Sequence, residues 1–136
     1  MWVDARELTP LDQLITSVGQ ALRTLTADSA AARPNPADRN ATSHLDETEM
    51  RHAAGLMRVN HSGEIAAQAL YRGQSVTARD PVTRQALLEA AREEQDHLAW
   101  CEARLGELDA APSRLNPLWY FGSFAIGLVA GAVSDR

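Results

Sequence analysis

Two short segments, Asn60-His61-Ser62-Gly63-Glu64 and Glu93-Glu94-Gln95-Asp96-His97, set carboxylates and an imidazole where a helical pattern otherwise calls for apolar side chains. From Pro81 to Leu108, apolar residues recur at Leu87, Ala90, Ala91, Leu98, Cys101, Leu105 and Leu108, the spacing of one helical face. Glu94 and His97 fall in the gap of that stripe, while Glu89, Arg92, Glu93, Asp96 and Arg104 take mostly outward positions. Along Glu47 to Ala78 the stripe reads Ala53, Leu56, Met57, Gly63, Ala67, Leu70 and Tyr71, with Glu64 inside it. An ionised carboxylate turned toward a core is costly unless something compensates its charge.

Glu-x-x-His puts both groups one turn apart on one face, so one cation can hold both. An inward Glu from one helix and a Glu-x-x-His from the next make half the ligand set of a ferritin-like di-iron carboxylate bundle. Other readings of the same residues are a solvated Glu, a core histidine with a satisfied hydrogen bond, or Glu94 and His97 each paired with an arginine. Spacing alone does not choose among them.

The rest of the chain reads as helix and connection, with no alternating strand pattern. Thr9-Pro10 is a cap followed by a first-turn proline. It opens an amphipathic helix with Leu11, Leu14, Ile15, Val18, Leu22 and Leu25 on one face. Its polar face is not basic, which argues against a purely electrostatic membrane role; membrane or partner contact and plain packing both stay open. Residues 28–45, rich in Ala, Pro, Asn, Asp and Ser, read as a flexible linker. Asp46-Glu47-Thr48-Glu49 approximates a capping box and starts the first long helix. Asp80-Pro81 ends it and caps the second, and Ala110 to Pro117 is a turn. The expected organisation is an N-terminal helix over 1–27, a linker over 28–45 and a helical domain over 46–136.

Leu115 to Val133 carries no charge and reaches the lower limit for a spanning helix. Ser123, Gly127 and Gly131 recur every four residues, a small-residue face that permits close helix approach. Trp119, Tyr120 and Phe121 at one end suit a membrane interface. Interfacial insertion with partial burial is the preferred reading, over a buried core helix or a full span. At 136 residues there is room for one domain with a modest core. The net charge of −5, without a basic cluster, argues against nucleic acid as a partner. Cys101 alone cannot form an intrachain disulfide; its inward helical position suits a small core residue better than a nucleophile.

Met57-Arg58-Val59-Asn60-His61-Ser62-Gly63-Glu64, Ala67-Gln68-Ala69-Leu70-Tyr71-Arg72-Gly73-Gln74, Glu93-Glu94-Gln95-Asp96-His97-Leu98 and Asn116-Pro117-Leu118-Trp119-Tyr120 closely resemble the demethoxyubiquinone hydroxylase family in order and interval. The resemblance covers Asp46 to Arg136, and the N-terminal part looks like the leader of bacterial members. It implies an all-α, ferritin-like bundle and an O2-dependent monooxygenase of ubiquinone biosynthesis. The enzyme would sit peripherally on the cytoplasmic face of the cell membrane and use two irons per complete site. A polyprenyl quinol and O2 would be its substrates, and other ubiquinone-biosynthesis proteins or a second copy its partners. Carried over by position, the resemblance implies Glu64 as a terminal iron ligand, Glu94 as the bridge and His97 as an imidazole ligand. His61 and Tyr71 are candidates to hydrogen-bond those ligands, against a partly exposed imidazole and a locally satisfied hydroxyl. Arg58 is a candidate to offset the acidic charge, and the apolar segment would line the substrate's route from lipid.

The chain departs from that family beyond His97. The acids there are Glu102, Glu107, Asp109 and Asp135, and no histidine follows. Members carry another Glu on a third long helix and a second Glu-x-x-His on a fourth. The expectation is therefore an incomplete bundle, inactive alone: an N-terminal helix, a two-helix hairpin and the start of a third long apolar helix. Two explanations stand, a truncated chain of a complete hydroxylase and a natural half-bundle. The second is a non-enzymatic iron-binding module that builds its site by homodimerisation. The first is favoured because the third-helix segment is present but cut off.

Overall fold

A computed structural model describes residues 8–26, 28–39 and 44–134; the expectations for the leader-like start and for the final two residues lie outside these. The described residues form helices α1 (Pro10–Thr26), α2 (Glu47–Thr77), α3 (Pro81–Glu107) and α4 (Asn116–Ser134), with a short 3-10 turn at Pro36–Arg39. Among them there is no strand, so the all-α reading stands.

Helices α1, α2 and α3 begin where their sequence supplies a cap. The Asp46 carboxylate accepts the Thr48 and Glu49 amides at 2.8 Å, and the Glu49 side chain accepts the Asp46 amide at 2.9 Å. At α3, Asp80 accepts the Thr83 amide at 2.8 Å and Pro81 supplies a first turn that needs no donor. Thr9 and Asp12 cap α1 reciprocally, Thr9 donating through its amide at 2.9 Å and accepting the Asp12 amide at 3.2 Å. At the end of α3, Asp109 adopts φ 50°, which lets the Ala110 amide reach back to the Leu105 carbonyl at 2.9 Å.

The central helix is α2. It packs against both α3 and α4, which do not meet each other, and α1 touches α2 and α4. The α2–α4 contact is the closest in the fold. A Cβ on Gly127 would overlap the Leu70 carbonyl, one on Gly131 the Gln74 carbonyl, and one on Gly73 the Phe124 carbonyl. The small-residue face of α4 thus lies backbone to backbone on α2, with Gly73 completing it from the other side. Thr77 anchors the same contact by donating to the Leu128 carbonyl at 2.8 Å.

The buried side of α2 differs from the expected stripe. Leu56 and Gly63 are exposed, whereas Ala54, His61, Ile65, Gln68, Ala69 and Gly73 are buried. A single stripe presumes one neighbour, and α2 has three. Ile65, Ala69, Leu98, Tyr120 and Ala21 make the core cluster, with Leu25 and Phe124 packed against it.

Helix α1 sits inside out. Ala21 is buried and Thr24 donates to Gln68, while Leu11, Leu14, Ile15, Val18 and Leu22 remain exposed. Helix α4 is long and apolar enough to cross a membrane by length and composition. It likewise exposes Leu118, Trp119, Phe121, Ile126, Val129 and Val133.

The segment expected to be a flexible linker is tied down at its start. Ser29 donates its amide to Glu102 at 2.8 Å; the Ala32 amide and the Arg33 guanidinium each donate to Asp96 at 2.6 Å. Arg33 also lies over the Trp100 ring, 5.7 Å from its centroid. Asp96, expected to face outward, is therefore buried beneath this strap. The Arg33 guanidinium and then the Ala32 amide hold the Asp96 carboxyl below the usual carboxylate range. A lowered acid stabilises above its unfolded pKa, so the strap should loosen as pH falls through the carboxylate range. Asp96→Ala should loosen it at neutral pH, raising hydrogen exchange at the Ala32 amide by roughly tenfold or more. Unchanged protection would show that the strap is held by other contacts.

Candidate metal centre

Glu64 on α2 and Glu94 and His97 on α3 converge, with one ligand atom of each lying within 4.8 Å of the others. His97 Nδ1 stands 3.0 Å from a Glu94 oxygen and 3.8 Å from a Glu64 oxygen. Antiparallel packing of α2 on α3 produces the meeting, and the i,i+3 spacing of Glu94 and His97 aims both at Glu64. Side-chain exposure is 25% at Glu64, 18% at Glu94 and 42% at His97. The cluster is thus half-buried, with room on its outer side for further ligands.

Among the described residues no arginine pairs with either carboxylate, which removes the reading of Glu94 and His97 as members of arginine pairs. The carboxyls instead meet each other. Burial, then the hydrogen bond and negative charge of Glu94, push Glu64 up to about 7, with His97 opposing. Two carboxylates and an imidazole on one spot suit a divalent cation with mixed oxygen and nitrogen preference, iron among them. The donor set fits such an ion.

The raised Glu64 carries a sign that can be checked. The folded chain holds a proton that the unfolded chain has already released, so metal-free stability should fall as pH rises from about 4.5 to about 7. We expect a loss of about 1–2 kcal/mol after solvent screening, read by urea unfolding across that range. Glu64→Gln should flatten the slope; an unchanged slope would separate it from Glu64.

His61 is not the partly exposed imidazole of the sequence reading. It is 2% exposed, with Nε2 3.4 Å from Glu102 and Nδ1 3.3 Å from the Asn116 side chain. Ser62 donates to Asn116 at 2.8 Å, so this polar group joins α2, α3 and the start of α4. Tyr71 is half-buried and its hydroxyl makes no hydrogen bond among the described residues. Arg58 is drawn away from the acids, donating to the Ala111 carbonyl at 2.8 Å. Burial, then the charges of Glu64 and Glu102, push the Cys101 thiol up to about 11, so it remains a protonated, half-buried neighbour of the cluster. Trp100 was missed: its ring packs 5.3 Å from that of His97 and limits how the imidazole can turn. Its place one turn after His97 was the available signal.

The sequence pattern of the family described as ubiquinone biosynthesis protein COQ7 matches residues 51–136, well over half of the chain. The chain belongs to this family. The match includes Glu64, Glu94 and His97 and agrees with the ferritin-like, all-α architecture expected from the sequence. The 3-demethoxyubiquinol 3-hydroxylase of Ralstonia pickettii (strain 12J) is 56% identical over 138 residues, covering 93% of this chain and 63% of the relative. Those of Bordetella avium (strain 197N) and Bordetella pertussis (strain Tohama I) are 57% and 58% identical, covering 95% and 92% of this chain and 60% and 57% of the relatives. The chain thus spans about three-fifths of the length of these relatives. No solved structure matches it.

Proposed function

We propose that this chain forms the Glu64, Glu94 and His97 side of a di-iron centre in an O2-dependent hydroxylase acting on a demethoxyubiquinol. The observation that carries the reading is the meeting of two carboxyls and an imidazole with no arginine paired to them among the described residues. The names of the relatives supply the substrate class. Iron bound there supplies the redox chemistry that activates O2. The protein's part is to hold the two carboxylates against the metal charge, with Glu94 placed to touch both other ligands. Trp100 and the strap-bound face of α3 fix His97. A further carboxylate and a further Glu-x-x-His would come from outside the described helices, either from additional chain or from a second copy.

The exposed apolar sides of α1 and α4 are best read as a lipid-facing surface on the cytoplasmic side of the cell membrane. A polyprenyl substrate resides in lipid, so this surface would place the centre next to its supply.

The test is a chimera joining this chain to the unmatched portion of the Ralstonia pickettii relative. Loaded with iron and given a demethoxyubiquinol, a reductant and 18O2, it should yield product carrying one 18O, and none when His97 is alanine. Product of equal amount from the variant would overturn the assignment.

A further inference from the structure

A cavity of about 420 Å³ opens between α1, α2 and the beginning of α3, lined in part by Thr16, Gln20, Arg72, Arg84 and Leu88. Two guanidinium groups face it, and among the described residues no carboxylate lines it. Arg72 is the unusual member. Its Nε is buried without a hydrogen-bond partner, and no ion pair reaches its guanidinium among the described residues. Burial lowers its pKa first, and the nearby charge of Arg92 lowers it further. Tyr120 is its neighbour, but a phenol at neutral pH carries no balancing charge. A desolvated cation in this setting needs an anion.

The remaining donors are poised to complete one. Arg84 commits one nitrogen to the Ala78 carbonyl at 2.6 Å and keeps the rest of its fork. Thr16 and Gln20, on the polar side of α1 that lines the cavity, make no side-chain hydrogen bonds among the described residues. Leu8, Val76 and Leu88 give the same cavity apolar wall. Polar donors beside apolar wall suit an amphiphile better than a bare ion.

We propose that this cavity binds a phosphate-bearing anion between Arg72 and Arg84, with the phosphodiester headgroup of a membrane lipid as the source its position favours. The cavity lies directly beneath α1, whose Leu11, Leu14, Ile15, Val18 and Leu22 point the other way, toward the surroundings. With that stripe in acyl chains, the arginines would sit near headgroup depth. Guanidinium forks match phosphate oxygens in geometry as well as charge. The site is separate from the Glu64, Glu94 and His97 cluster and needs no iron.

The test uses the full chain with two probes. Inorganic phosphate is followed by 31P line broadening; phosphatidylcholine vesicles, with and without phosphatidylglycerol, are followed by co-sedimentation. Arg84→Gln and Arg72→Gln should each weaken phosphate binding by roughly tenfold or more, and Arg72→Lys should retain part of it. Because Arg84 is exposed, its variant separates binding from folding, which circular dichroism confirms. Loss of the phosphatidylglycerol-dependent share of vesicle binding in the same variants identifies the lipid source. Phosphate binding lost with vesicle binding unchanged keeps the anion site and assigns it to free phosphate. No line broadening in the parent chain, or equal broadening in Arg84→Gln, overturns the proposal.

Discussion

Replacing Glu94 with alanine is expected to abolish ferrous-iron binding while leaving the helices in place. Glu94 is the member of the cluster hydrogen-bonded to both others, to His97 Nδ1 at 3.0 Å and to the Glu64 carboxyl, whereas His97 lies 3.8 Å from Glu64. Removing it leaves Glu64 and His97 as separate single donors on different helices. Affinity should fall more than ~100-fold, since even changes behind a ligand commonly cost 10–100-fold. Glu93→Ala is the matched control, one residue away and exposed. Iron retained per chain after dialysis, with far-ultraviolet circular dichroism beside it, reads the outcome. Retention of iron in Glu94→Ala would remove this residue from the ligand set.

The second large effect is expected at the α2–α4 contact. Gly127→Val should lower stability by about 2–3 kcal/mol, because the new side chain meets backbone, which cannot swing away. The atoms in its path are the Leu70 carbonyl and the Gln74 amide nitrogen. Gly122→Ala, five positions earlier on the same helix, meets nothing and should be neutral or stabilising by up to about 1 kcal/mol. Urea unfolding of the pair decides it. Equal effects would mean that α4 is held by its apolar side chains rather than by close backbone approach.

The contrast between these glycines shows what a sequence can disclose. Gly127 and Gly131 were legible from their four-residue recurrence, because only one arrangement makes such a face useful. Helix starts were legible for a similar reason, since Asp46 with Glu49, Asp80 with Pro81 and Thr9 with Pro10 are local devices contained within a turn. The Glu-x-x-His pair was legible because helical geometry fixes its face.

What lay hidden depended on distant partners. The burial of Asp96 comes from Ala32 and Arg33, far upstream in a stretch whose Ala-Pro composition suggests only flexibility. The buried side of α2 follows from three neighbours, so no single stripe could reveal it, and Ile65 went unnoticed. His61 reads as surface polar until Glu102 and Asn116 are seen to close around it. Helix α1 carries a clear amphipathic signature, but periodicity cannot say which side turns inward. Here the side carrying Ala21 and Thr24 does, leaving the apolar stripe exposed.

Anomalous diffraction at the iron edge, from crystals grown with ferrous ion, tests the central claim most directly. The account predicts a peak between the Glu64 and Glu94 carboxylates and the His97 ring. Iron bound elsewhere, or no peak within coordinating distance of those groups, would contradict it.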